Sequence, residues 1–209
     1  MGKSSGLEFR SMSRIELYPA LPRLSACVVL GDWKSVEEIR RSAPDECIDR
    51  TWREAVLQTH LFAGFPRLVA AFGVLESAGG LGQPEDDELE NQTDPAGGHE
   101  LFDQIYTSHA SAVRETLASY HPNFAEWIAE HAYGRVLSRG GLSAGARELL
   151  AVACLIVLDQ PRQLMSHARG ALHCGATTRQ LQDVLEDVRD LVPQAVGDRA
   201  RRIMERLSE

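Results

Sequence analysis

The chain has 209 residues, enough for one large domain or two small ones, and its 44 % hydrophobic and 25 % charged residues are the balance of a globular protein. A formal net charge of -8 excludes the clustered positive charge that nucleic acid or an anionic membrane surface demands. No run approaches about 18 consecutive apolar residues, so no membrane span and no membrane partner are expected.

The stretch from Met1 to Arg14 is polar and lacks the apolar segment of a secretory signal. Gly2 does not read as a myristoylation site, because Gly6 stands where Ser or Thr is needed. The expected location is the cytoplasm. Of the cysteines Cys27, Cys47, Cys154 and Cys174, none forms a C-x-x-C pair, and Cys27 and Cys154 sit in apolar runs where a thiol acts as a small core residue.

The sequence divides into an N-terminal half over 1–76, a flexible acidic linker over 77–100 and a C-terminal half over 101–209. In the first half, Ala26 to Leu30 is apolar, a helix ends at Arg41-Ser42-Ala43, and another starts near Asp49 and carries Val56-Leu57. The linker holds Gly79-Gly80, Glu85-Asp86-Asp87-Glu88, Asp94-Pro95 and Gly97-Gly98, a mixture that reads as a solvated connection. Leu101 to Tyr120 then reads as one amphipathic helix. Asn123 with Glu126 gives a capping box for the next helix, which carries Phe124, Trp127, Ile128 and His131 together. Ser143 is the expected N-cap of Arg147–Leu158, apolar nearly all round and therefore buried. Pro161 opens a helix whose apolar stripe is Leu164, Ala168, Ala171 and Leu172, with His167 inside that stripe and Gly175 as its stop. Thr177 with Gln180 caps the helix lined by Leu181, Val184, Leu185, Val188 and Leu191, and the end, Asp198 to Glu209, is a last amphipathic helix.

The two halves share a pattern. Ala26 to Leu30 matches Ala153 to Leu158, Arg41-Ser42-Ala43 stands beside Arg169-Gly170-Ala171, and Val56-Leu57 beside Val184-Leu185, at an offset of about 128 residues.

From Tyr133 to Leu185 the chain resembles the carboxymuconolactone decarboxylase family. The stretch is Tyr133-Gly134-Arg135 to Arg139, then Leu142, then Arg147-Glu148-Leu149-Leu150-Ala151-Val152-Ala153, then Leu164, His167, Ala168, Arg169, Ala171, Gly175, Ala176 and Thr177. A second family element, Glu54-Ala55-Val56-Leu57-Gln58 followed by Phe62-Ala63-Gly64-Phe65-Pro66, precedes the histidine helix instead of following it. The resemblance implies an all-α, AhpD-like helical bundle, here a tandem degenerate repeat, that assembles as a homo-oligomer and uses no cofactor. Ile39 stands where the N-terminal copy would carry the histidine.

The resemblance further implies decarboxylation of a small carboxylated lactone in aromatic catabolism, or the thiol peroxidase chemistry of AhpD-like relatives. For the first, His167 is the proton carrier, since imidazole gains and loses protons near neutrality. Read from periodicity alone, His167 serves equally as a core histidine bonded to a carbonyl. Arg147 and Arg139 are the expected anchors for a substrate carboxylate, unless they form ordinary salt bridges. Glu148 is read as balancing Arg147. Gln163 stands where the family has a Glu one turn before the histidine and orients the ring without accepting its proton. His60 is the candidate replacement partner. For peroxidase chemistry Cys174 lacks a resolving cysteine, and no H-E-x-x-H or i, i+4 histidine pair suggests a metal. A third reading is a non-catalytic helical oligomer. The apolar helix Arg147–Leu158 and the segment His60 to Pro66 also point to self-association between equivalent C-terminal parts.

Overall fold

A computed structural model of the protein describes residues 17–90 and 93–207. The polar stretch Met1 to Arg14, with Gly2 and Gly6, lies outside the described residues, as do Ser208 and Glu209. Among the described residues every regular element is helical, and no helix is long and apolar enough to cross a membrane.

Four helices come from the first half: α1 (Leu21–Leu30), α2 (Trp33–Ser42), α3 (Arg50–Gln58) and α4 (His60–Ser77). Asp32 and Asp49 cap α2 and α3 by accepting from Ser35 and Thr51 N–H groups. Helix α4 is two helices joined at Gly64, whose φ of 76° only glycine adopts without strain. The second half supplies α5 (Pro95–Tyr106), α6 (Ala110–Tyr120), α7 (Pro122–Trp127), a π-helix (Ile128–Leu137), α8 (Ala144–Val157), α9 (Pro161–His173), α10 (Thr178–Val188) and α11 (Gln194–Glu205).

Several expectations hold in detail. Ser143 caps α8 through the Ala146 N–H, and Thr177 with Gln180 makes a complete capping box on α10. Others shift. Leu101 to Tyr120 is not one helix: the chain turns at Thr107, a β-branched residue held at φ 48°, and resumes as α6. The next helix starts at Pro122, capped by the His121 ring, and not at Asn123.

The segment read as a solvated linker is pinned to the fold. Glu88 is buried and accepts from Arg53 at 2.9 Å, Asp87 pairs with Arg50, and Arg40 holds the carbonyls of Gly79 and Gly80. Asp94-Pro95 and Gly97-Gly98 are the cap and first turn of α5. Their glycines serve close packing: a Cβ on Gly98 would stand 2.6 Å from the Gly134 backbone, so α5 and the π-helix meet backbone to backbone.

The halves interleave. Helix α1 packs on α8 and α10, and one apolar cluster joins Leu24, Val28, Trp52 and Val56 to Leu142, Ala146 and Leu150. Helix α8 is buried from Gly145 to Ile156, so its apolar surface is consumed inside the chain. The helix starts Trp33 and Pro161, and Arg50 and Thr178, each stand 128 residues apart, as do Pro66 in the kink of α4 and Gln194 at the start of α11.

A buried ionic cluster joins the halves. Glu54 on α3 is 0 % exposed and accepts from Arg147 Nη2 at 2.9 Å and from Arg139 Nε and Nη2 at 2.9 and 2.8 Å. Gln58, one turn on, donates to the Arg147 carbonyl at 2.8 Å. Removing one member of such a cluster leaves uncompensated buried charge, which costs about 3–5 kcal/mol. Glu54→Ala is expected to lose that much in urea denaturation, whereas Glu38→Ala on the exposed face of α2 changes stability by less than about 0.5 kcal/mol. Equal losses would show that the cluster is not a stabilising tie.

Candidate functional site

His167 lies on α9 with its side chain 15 % exposed, and Glu148 on α8 is 1 % exposed. His167 Nδ1 and Glu148 Oε2 stand 2.9 Å apart. A carboxylate accepts only, so Nδ1 carries the hydrogen and Nε2 is the atom left for proton transfer. Burial lowers the proton affinity of His167, but the charge of Glu148 and its hydrogen bond together outweigh that, and the pKa lies above the ordinary imidazole value. Room for the carboxylate comes from Gly170: a Cβ there would stand 2.6 Å from Glu148 Oε2. Glu148 Oε1 is buried without a hydrogen-bond partner among the described residues.

Glu148 therefore does not balance Arg147. Adjacent residues on a helix point about 100° apart, so Arg147 turns to Glu54 and Glu148 turns to His167. The carboxylate that the sequence lacked at Gln163 comes from the neighbouring helix. Gln163 itself is exposed on the first turn of α9, and Glu148 holds the ring nitrogen that Gln163 was expected to orient.

The expected anchors are occupied. Arg147 is 1 % exposed; its Nη2 donates to Glu54 and to the carbonyls of Arg139 and Gly140, its Nη1 donates to Gln58, and its Nε is buried without a partner among the described residues. Arg139 borders a cavity of about 280 Å³ with Arg53 and Glu88, but its guanidinium is committed to Glu54. Neither can take a substrate carboxylate without releasing a buried one.

His60 meets a different ring. Its Nε2 lies 2.8 Å from Nε2 of His131 on the π-helix, and its Nδ1 faces the Leu57 carbonyl at 2.5 Å. Nδ1 therefore holds the proton of His60, and His131 donates through Nε2. Burial, followed by the charges of His60 and Arg135, lowers the His131 pKa. Phe65 stacks on His60 at 5.2 Å between centroids. The contact from this segment to His167 is made by Phe62, whose ring lies edge-on at 6.3 Å between centroids. The kink at Gly64 separates Phe62, turned toward α9, from Phe65, 63 % exposed.

Cys174 follows α9 beside Leu61 and Tyr133 in a third apolar cluster. Burial, with Glu148 adding to it, pushes its thiol up to about 11. Tyr133 and Tyr106 face each other with hydroxyls 3.3 Å apart, and burial raises both pKa values.

Residues 122–205, which contain both Glu148 and His167, match the carboxymuconolactone decarboxylase family. The chain is also similar to Peroxisomal protein 2 of Schizosaccharomyces pombe, 29 % identical over 135 residues that cover 62 % of each chain. It is 30 % identical to 4-carboxymuconolactone decarboxylase of Acinetobacter baylyi over 77 residues, 37 % of this chain and 58 % of that one. The aligned stretches thus span about three fifths of each relative.

The raised pKa of His167 fixes the sign of a pH effect. A group that binds its proton more tightly when folded stabilises the fold fully below its unfolded pKa of about 6.5, and this contribution fades as pH rises through the folded value. His167→Gln is therefore expected to lower the melting temperature more at about pH 6 than at about pH 9. An equal loss at both would show that the ion pair with Glu148 adds nothing to stability.

Proposed function

We infer that this chain, whose residues 122–205 carry the carboxymuconolactone decarboxylase family's unit, is a cofactor-free lyase acting on a small carboxylated lactone or related acid through His167. The observation that supports this best is the 2.9 Å contact between His167 Nδ1 and the buried carboxylate of Glu148. Held this way, the imidazole presents Nε2 in one orientation and binds a proton more readily than an exposed ring. The name of the Acinetobacter baylyi relative supplies the substrate class.

In such a reaction the bond between the ring carbon and its carboxylate breaks and carbon dioxide leaves. The electron pair left behind is spread onto the lactone carbonyl. Protonated His167 delivers its proton to carbon and recovers one from solvent, so one proton enters for each carbon dioxide released. Glu148 stabilises the protonated ring and orients it. Phe62 covers one side and limits water. His60, with His131, borders the same kinked segment and shapes its outer rim.

The thiol peroxidase alternative finds less support. A thiol pushed up to about 11 is almost wholly protonated at neutral pH, and it is the thiolate that attacks peroxide. Self-association is retained, through the helix that begins with the segment His60 to Pro66 and not through Arg147–Leu158 or contacts between C-terminal parts. Since α8 is buried within the chain, the surface chosen is that of α4, where Phe65, Val69 and Phe72 are exposed at helical spacing.

The test is carbon dioxide release from 4-carboxymuconolactone. His167→Gln is expected to lose about 10²–10⁴-fold in kcat/KM. Glu148→Gln is expected to lose activity and to displace the histidine limb of the pH profile to lower pH, while Cys174→Ser stays near wild type. A wild-type chain inert toward carboxylated lactones, or a His167→Gln variant as active as wild type, would sink this reading. By light scattering, the chain is expected to exceed its 23.0 kDa monomer mass and Val69→Glu to fall toward it; a monomeric wild type at micromolar concentration would remove the α4 interface.

A further inference from the structure

The corner between α5 and α6 forms, with α9, a second concave site that includes neither His167 nor Glu148. Its volume is about 340 Å³, near the lower end of the range of about 300–1,000 Å³ for ligand pockets. That suits one ring with a substituent. Ile105, Val113 and Leu117 supply an apolar wall, while Arg169 and His173 stand on the α9 side. Arg169 is two residues beyond His167, about 200° round the helix, so the two side chains serve different faces of α9.

Charge identifies the occupant. The chain has 30 acidic residues against 22 basic ones, yet no carboxylate side chain lines this groove. Arg169 has no ion-pair or hydrogen-bond partner among the described residues, unlike Arg139 and Arg147, which are committed to Glu54. His173 is held in place: its Nδ1–H donates to the Ile105 carbonyl at 2.8 Å. That fixes the tautomer and leaves Nε2 as the free ring nitrogen, a donor when protonated. Thr107, at φ 48°, makes the corner that sets α6 over the groove.

We propose that the groove between α5, α6 and α9 binds a small monocyclic carboxylic acid, with its carboxylate on Arg169 and its ring against Ile105, Val113 and Leu117. An uncharged ligand of the same shape would fill the apolar wall and leave the guanidinium unanswered. A free inorganic anion would answer the guanidinium and leave the wall wet. A carboxylate on an apolar ring satisfies both, and Arg suits it because its planar fork binds carboxylates at two points. The site is independent of the lyase reading, since none of its lining residues belongs to the His167–Glu148 pair.

The probe is benzoate, with benzyl alcohol as its uncharged match, titrated into the full chain and followed by ligand-observed NMR. Benzoate is expected to bind at least ten-fold more tightly than benzyl alcohol. Arg169→Gln, at an exposed position where folding is not at stake, is expected to weaken benzoate at least ten-fold and leave benzyl alcohol unchanged. Ala112→Trp, which fills the groove from exposed α6, is expected to abolish both, while His167→Gln keeps both. The proposal is overturned if benzoate shows no binding at millimolar concentration, or binds Arg169→Gln like wild type. It is also overturned if benzyl alcohol matches benzoate, or if His167→Gln abolishes binding while Ala112→Trp retains it, which would place the ligand in the other site.

Discussion

The rest of this structure depends on a carboxylate sealed from solvent. Glu54 is 0 % exposed, and taking such a group out of water costs several kcal/mol unless opposite charge and hydrogen bonds surround it. Arg147 and Arg139 supply both, from the first turn of α8 and from the loop that precedes it. Because Arg147 cannot turn away without stranding Glu54, the rotation of α8 about its axis is fixed. The next residue, Glu148, then has to emerge on a different side, where α9 brings His167 to within 2.9 Å. The ionic cluster and the candidate site are thus two consequences of one helix orientation.

The same tie explains why the parts of the chain do not behave as separate units. The family match begins at residue 122, yet Glu54, Gln58 and Phe62, which touch the matched segment, all lie before it. Helix α1 covers α8, and the kink at Gly64 delivers Phe62 to His167 while turning Phe65 outward beside His60 and His131. Even the acidic segment is drawn in, because Glu88 answers Arg53. Helix starts recur at an offset of 128 residues, at Trp33 and Pro161 and at Arg50 and Thr178. In that comparison the second set carries both the histidine and the Glu148 that holds it, and the first contributes the Phe62 ring beside them.

Helix α9 shows how one element serves two environments. Its Leu164, Ala168 and Ala171 enter the main core, His167 reaches Glu148, and Arg169 with His173 borders the groove against α5 and α6. A 3.6-residue repeat permits this, because side chains two positions apart, such as His167 and Arg169, leave the helix about 200° apart. A substitution on one of these faces is therefore expected to leave the others intact.

The sequence by itself determined the helical class, the caps at Ser143 and Thr177, the burial of α8, and His167 as the residue to watch. These follow from local periodicity and capping chemistry, which need no distant partner. Only the tertiary structure decided who pairs with whom. Glu148 and His167 are 19 residues apart and on different helices, and Glu54 and Arg147 are 93 apart, so no local pattern links either pair. One signal was available: two adjacent charges, Arg147 and Glu148, in a helix with no polar face must each have a buried partner. Adjacency suggested that they answered each other, but helix geometry sends them about 100° apart. Gly97-Gly98 read as flexibility for a related reason. A glycine serving close backbone contact with Gly134 looks the same in sequence as one in a loose turn, and only the approach of the π-helix distinguishes them.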